Sequence, residues 1–234
     1  MERGQRTMPT VVFASPKGGA GKSTSAVLLA TELAANGATV TIIDADPNKP
    51  VSRWGRLPGK PRALHVIDDV SEKTIIRVID DEAARASFVI VDLEGTASRM
   101  IPYAMSRADL VIIPTRGSVL DAVEAVSAIR EVRQQEEAFR VKIPAAILFT
   151  CTSAAIRPRT LASIEQEFHT NKVPVFETRL HDREAFRALF SFGGTLATLD
   201  KSAVRNIPAA IENAQAFARE VVVMLRANRV GQAA

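Results

Sequence analysis

Short runs of β-branched and aliphatic residues recur along this chain, separated by longer stretches in which apolar positions return every three or four residues. Thr10–Ser15, Thr39–Asp44, Phe88–Asp92, Leu110–Pro114, Ala145–Thr150 and Val173–Thr178 are nearly continuous in apolar residues, which predicts strands buried on both faces. Lys22–Asn36, Val119–Phe139 and Pro158–His169 carry the helical spacing, and Gly37 gives the first of them a stop. Ala209–Ala227 aligns Ile211, Ala214, Phe217, Val221 and Leu225 on one face, as a helix packed on a sheet requires. Alternation of strand and helix implies crossover connections, hence an α/β fold with a mainly parallel twisted sheet and helices on both faces. Ligands of such sheets bind beyond the carboxyl ends of the strands, so residues there matter most. Asn48–Arg62, with Pro50, Pro58, Gly59 and Pro61, reads as a loop-rich region, and Ser191–Gly194 as a turn.

Composition narrows the class without choosing a function. With 234 residues, 47% of them apolar, the chain suits one packed domain: a polar tail over 1–9, a single domain over 10–229 and a short tail over 230–234. No apolar run approaches the roughly 20 residues that span a bilayer, and the first nine residues lack an export signal's apolar centre, so a cytoplasmic address is expected. Cys151 is the single cysteine, which excludes an intramolecular disulfide and a cysteine-ligated metal site on one chain; it reads as a buried small hydrophobe. His65, His169 and His181 show no metal-ligand spacing. The net charge of +4 is too mild to identify a nucleic-acid binder by itself.

The decisive stretch is Ser15-Pro16-Lys17-Gly18-Gly19-Ala20-Gly21-Lys22-Ser23-Thr24, between a predicted strand and a predicted helix. Small residues let the backbone curl so that successive N–H groups point at phosphate oxygens, and the helix start adds its positive dipole end. In this pattern Lys22 reaches the β- and γ-phosphates while the Ser23 hydroxyl ligates Mg²⁺.

Where an ordinary P-loop has its first glycine, this chain has Pro16 followed by Lys17. Lys-Gly-Gly-x-Gly-Lys-Ser-Thr resembles the deviant Walker A motif of the ParA/MinD family of P-loop ATPases, and Lys17 falls on that family's signature lysine. The resemblance implies ATP and Mg²⁺ as cofactors, a homodimer formed on ATP, and a Lys17 that crosses the dimer interface to the partner's phosphates. There a second cation offsets charge developing on the transferred phosphoryl group. Ile42-Ile43-Asp44-Ala45-Asp46-Pro47 resembles the family's Asp-x-Asp-Pro segment, which implies Asp44 beside the hydrated metal and Asp46 orienting the attacking water. Phe88-Val89-Ile90-Val91 running into Asp92 places a carboxylate as a Walker B strand does, near the metal through water. The chain departs from the family at Asp92-Leu93-Glu94-Gly95, where Asp-Thr-Pro-Pro is common, and Glu94 reads as a solvent-facing charge outside the catalytic set. Leu148-Phe149-Thr150 occupies the place where a Thr or Asn lies near adenine. The resemblance runs from about Thr10 to Asp200.

Resemblance to the short ParA-like partition ATPases implies a nucleoid-associated protein that binds double-stranded DNA without sequence preference and positions a plasmid, a chromosome region or a protein cargo. Arg183, Arg187, Arg205, Arg219 and Arg226 are the candidate phosphate-backbone contacts. A ParB-like or other adaptor is expected to stimulate hydrolysis, and the short segment before the first strand leaves no room for an operator-reading domain. The alternative is a MinD-like membrane positioner. It shares the ATP site but ordinarily carries a basic amphipathic tail, whereas Ala209–Ala227 mixes Glu212 and Glu220 with Arg219 and Arg226, so membrane recruitment ranks second.

Overall fold

The computed structural model describes residues 8–95, 99–155 and 158–233. Six parallel strands form one sheet: β1 (Thr10–Phe13), β2 (Val40–Ala45), β3 (Leu64–Ile67), β4 (Phe88–Leu93), β5 (Leu110–Thr115) and β6 (Ala145–Phe149), in the spatial order β3-β2-β4-β1-β5-β6. Among the described residues eight α-helices accompany them: α1 (Lys22–Ala35), α2 (Pro50–Arg56), α3 (Ile75–Ala83), α4 (Met100–Met105), α5 (Val119–Phe139), α6 (Arg159–Thr170), α7 (Glu184–Phe192) and α8 (Ile207–Ala233).

Because side chains alternate across a strand, each run of apolar residues feeds two cores. Val11, Phe13, Ile42 and Ile90 join Leu28, Trp54, Leu189, Phe217 and Val221 beneath α1, α2, α7 and α8. Val12, Ile43, Val89 and Val91 join Ile75, Ile79, Val132 and Phe168 beneath α3, α5 and α6 on the opposite face. Continuous hydrophobicity in the strands is thus the signature of a sheet covered on both sides, as expected. In α8 the predicted stripe is in place: Ala214, Phe217, Val221 and Leu225 are buried and Ile211 packs partly against the core.

Two expectations fail for reasons of backbone chemistry. Val173–Thr178 is not a strand. It runs beside β6 with one isolated parallel bridge between Val175 and Ile147, and Pro174, which has no N–H to give a ladder, offers only its carbonyl to Ile147 N at 2.8 Å. The sixth strand is instead Leu64–Ile67 at the opposite edge, where only Leu64 is fully buried and the apolar signal is correspondingly thin. The loop-rich reading of Asn48–Arg62 also needs correction, since it contains α2. Pro50 sits in the first turn, where a missing N–H costs nothing, and so begins the helix rather than breaking it. Trp54 from this helix is fully buried and donates its indole N–H to the Gly194 carbonyl at 3.2 Å. That contact seats α2 against the turn after α7, where Gly193 adopts φ 78°.

Strand β1 is central, and its two neighbours, β4 and β5, lie on opposite sides. The loop leaving its carboxyl end therefore emerges between the ends of β4 and β5, the position at which parallel α/β sheets open a crevice.

Candidate nucleotide site

That loop is the glycine-rich segment. Gly19 and Gly21 take φ 73° and 89°, a left-handed backbone that only glycine adopts without strain, and so curl the chain back over the start of α1. Gly21 is the residue before the helix. It supplies no side-chain cap, and the first turn of α1 holds no acidic residue, so nothing in the described structure competes with an anion for the helix's free N–H groups. The curl is braced from outside. Thr150 donates its hydroxyl to Ala20 O at 2.7 Å, Arg116 donates to Gly19 O at 2.8 Å, and Ser25 donates to Gly21 O at 2.8 Å.

In front of the loop lies a cleft of about 810 Å³, lined among others by Gly18, Gly19, Gly21, Lys22, Ser23, Thr24, Asp46, Thr150, Arg183 and Arg187. A nucleoside triphosphate fits a space of this size. Lys22 is buried, donates to the Lys17 carbonyl at 3.2 Å, and has its pKa lowered by burial, with the nearby charges of Asp92, Asp46 and Glu94 opposing that shift. Its ammonium is therefore held at the cleft with little solvation of its own.

Two carboxylates lie beneath the loop, side by side in the sheet, because Asp44 of β2 and Asp92 of β4 are register partners. Asp44 is engaged: it accepts from Ser52 N at 2.7 Å and from Asp46 N at 3.4 Å, while burial raises its pKa against those bonds. Asp92 is different. It is fully buried and neither carboxylate oxygen has a hydrogen-bond partner among the described residues. Burial pushes its pKa up to about 7, opposed by the adjacent Ser23 hydroxyl and Lys22 and assisted by Asp44 and Asp46. Orphaned carboxylate oxygens close to Ser23, at the mouth of a phosphate loop, are what a hydrated divalent cation satisfies. Asp92 and Ser23 fit such an ion; Asp44 is largely committed to the backbone of α2. The Asp46 carboxylate faces the cleft and accepts from Asn48 N at 2.8 Å.

Lys17 does not turn inward. Its ammonium donates to Asp121 in the first turn of α5, and this bond is the chief cause of its raised pKa. Burial works against ionisation of Asp121, yet the bonds from Lys17 and Ser118 hold its pKa below the ordinary value. Ser118 caps α5 by accepting from Asp121 N at 3.2 Å and donates to the Asp121 carboxylate at 2.6 Å.

Sequence reasoning missed several participants. Arg116 and Asp121 follow a strand end and open a helix, positions where charged residues are ordinary, so only the fold reveals that they meet the phosphate loop. Glu94, read as solvent-facing, lines the cleft, and Gly95 lies so close to the loop that a Cβ on it would sit 3.0 Å from Gly18 N and Lys17 C. Cys151 is exposed at the cleft's lip with φ 52°, in a turn beyond β6, so the buried-hydrophobe reading is corrected. Of the five candidate DNA-contacting arginines, Arg183 and Arg187 line the nucleotide cleft, the latter paired with Asp182. Arg205, Arg219 and Arg226 are exposed before and along α8. Among the described residues, no helix is long and apolar enough to cross a membrane, and no cluster of three or more His, Cys, Asp or Glu could by itself hold a metal.

A central strand, a left-handed glycine curl, an uncapped helix and a lysine in the deviant position together define a P-loop ATPase of the ParA/MinD type. The comparisons agree. The chain belongs to the VirC1 family, described as VirC1 protein, whose profile matches residues 8–227. It is 45% identical to Protein ParA of Rhizobium radiobacter over 92% of this chain and 96% of that protein. Among solved structures it resembles a Cyanothece McdA variant in complex with ATP, with a TM-score of 0.71 at 15% identity over 92% of this chain and 96% of that one. It also resembles the septum site-determining protein MinD of Pyrococcus horikoshii complexed with Mg-ADP, with a TM-score of 0.68 at 14% identity over 92% and 96% of the two chains. At those identities the structural likeness speaks for the fold; the ParA identity and the VirC1 match place the chain among partition-type ATPases.

Proposed function

We propose that this protein is an ATP-driven positioning switch: ATP and Mg²⁺ bring two copies together, the dimer holds double-stranded DNA without sequence preference, and hydrolysis releases it. The cargo is a plasmid, a chromosome region or a protein assembly, and a separate ParB-like or other adaptor accelerates a slow intrinsic turnover. The observation that carries this reading is the placement of Lys17. It stands outside the chain's own cleft, half exposed and held by Asp121, where a lysine serving its own phosphates would have turned inward.

The chemistry follows from the residues around the cleft. The loop amides and the start of α1 bind the phosphates, and the poorly solvated Lys22 ammonium draws the terminal phosphates to one end of the cleft. Ser23 and Asp92 would hold Mg²⁺, which would supply charge neutralisation on the phosphates, with Asp44 in support from the adjacent strand. Asp46, anchored through its bond from Asn48 N, orients the attacking water. Lys17 of the partner copy approaches the transferred phosphoryl group and stabilises charge there. Thr150 braces the phosphate loop from the end of β6 through its bond to Ala20 O and lies beside the base. The exposed Arg205, Arg219 and Arg226 contact DNA phosphates, so retention falls steeply with salt.

Sedimentation with ATP, ADP or no nucleotide, with non-specific duplex DNA or anionic vesicles, at two salt concentrations, tests the reading. The expected result is ATP-specific dimerisation and salt-sensitive DNA retention. A protein retained on vesicles and not on DNA belongs to the membrane-positioning alternative, and one that ignores every Mg-nucleotide refutes the function altogether.

A further inference from the structure

The segment before α7 runs along the end of β6 on one side: Phe176 N and Leu180 N donate to Ile147 O and Phe149 O at 2.9 Å each, and Asp182 N donates to Thr152 O at 2.8 Å. The sheet ends at β6, and α8 stands where a further strand would pair with the segment. Glu220 accepts from Glu177 N at 2.7 Å and from Thr178 N at 2.8 Å, one bond to each carboxylate oxygen. Asn213 accepts from His181 N at 3.0 Å and donates its amide to Arg179 O at 2.8 Å. Between these two, Phe217 packs on Phe176 with ring centroids 5.7 Å apart. Positions 213, 217 and 220 share one face of a helix, so a single stripe of α8 grips the backbone over 176–181. Covering an edge in this way needs no functional reason. The continuation of the edge supplies one, because Leu180, His181, Asp182 and Arg183 line the nucleotide cleft. Asp46 and Glu94 reach that cleft from the ends of β2 and β4, on the other side of β1 from β6, and mark its phosphate and cation end. The wall at 180–183 therefore faces the nucleoside.

We infer that Asn213 and Glu220 are positioning residues for the nucleoside half of the site: through them α8 sets where the wall at 180–183 stands, and so how well ribose and base are held. The inference rests on the nucleotide reading proposed above. Neither residue lines the cleft, so both act through the backbone they hold. The phosphate loop is braced separately, by Thr150, Arg116 and Ser25, and a displaced wall leaves its grip on phosphate as it is. Contacts to the nucleoside serve the ground state and the transition state alike. Loosening them raises KM and leaves kcat in place.

The test compares Mg-ATP with Mg-tripolyphosphate, which offers the phosphate chain without a nucleoside, on the full chain and on Asn213→Ala, Glu220→Ala, Glu220→Gln and Glu212→Ala. Fluorescence titration reads ATP affinity, competition against a fluorescent nucleotide reads tripolyphosphate, and phosphate release gives kcat and KM. Asn213→Ala and Glu220→Ala are expected to weaken ATP binding and raise KM about fivefold, with tripolyphosphate affinity and kcat within about twofold of the parent. Glu220→Gln keeps the volume and one acceptor oxygen, so its ATP affinity should fall between those of the parent and Glu220→Ala, and it carries the test if the alanine variant does not fold. Glu212→Ala, exposed on the same helix, should bind both ligands as the parent does. Parent-like ATP affinity in Asn213→Ala and in the Glu220 variants would overturn the inference alone. Equal losses for ATP and tripolyphosphate would overturn it as well, since the damage would then reach the phosphate loop. A parent that binds no Mg-nucleotide would remove the proposed function along with it.

Discussion

Asp92 makes the ligand-free protein sensitive to pH in a direction that Asp92→Asn should abolish. A carboxyl group has a pKa of about 3.9 in the unfolded chain, and burial raises that of Asp92 to about 7 in the folded one. Between those values the native state holds a proton that the unfolded state has released, so stability falls as pH rises through this window and levels off above it. At about 1.4 kcal/mol per unit, the two units of the window lying between pH 5 and pH 7 correspond to a loss of about 3 kcal/mol, complete by about pH 8. For a domain of this size that is a fall of about 5–10 °C in melting temperature. Asparagine has nearly the same shape and does not titrate. Calorimetry of the two proteins without nucleotide or metal, from pH 5 to pH 8, therefore predicts a melting-temperature difference that shifts in favour of Asp92→Asn as pH rises; other titrating groups largely cancel in the comparison. With Mg-ADP the order reverses at high pH, since the ionised carboxylate gains the cation and asparagine cannot replace it. A difference that stays constant across the pH range would refute the claim that this buried carboxyl is protonated in the empty site.

Three further outcomes are expected. Lys22→Ala should weaken nucleotide binding at least a hundredfold in a fluorescence titration, because its buried ammonium is the cation set within the phosphate loop itself. Asp46→Ala should keep ATP-dependent dimerisation and DNA retention while suppressing phosphate release at least tenfold, and undiminished turnover would remove its role in orienting water. Gly193→Ala should lower stability by about 3 kcal/mol, read as a melting shift on the order of 10 °C, with little effect on nucleotide affinity. Its added methyl would lie 2.5 Å from Leu57 Cβ and 2.6 Å from Pro58 O at a φ of 78°.

The fold was legible wherever burial writes itself into local pattern. Five strands covered on both faces are nearly continuous in apolar residues, and of the four helices whose apolar residues repeat every third or fourth place, three emerge within one residue of their observed ends while α8 continues six residues past the expected Ala227. Edge and proline-bearing segments were not legible. Half-exposed Leu64–Ile67 carries too few apolar residues to announce a strand, while Val173–Thr178 has the residues of one but contains Pro174, which cannot complete a ladder. Pro50 read as a breaker because sequence alone does not say whether a proline falls in the first turn of a helix or later.

By itself, the amino-acid order determined the phosphate loop, since a left-handed curl needs glycines at fixed spacing and a helix start directly after them, all within ten consecutive residues. It also determined the two-sided sheet, through the hydrophobicity of its strands. Only the tertiary structure decided what surrounds that loop: Asp92 buried beside Ser23 with no hydrogen bond to its carboxylate among the described residues, Lys17 held by a residue 104 positions away, and Arg183 lining the cleft. Burial and charge pairing depend on which distant segments meet, and no local pattern encodes the meeting of the phosphate loop with the first turn of α5.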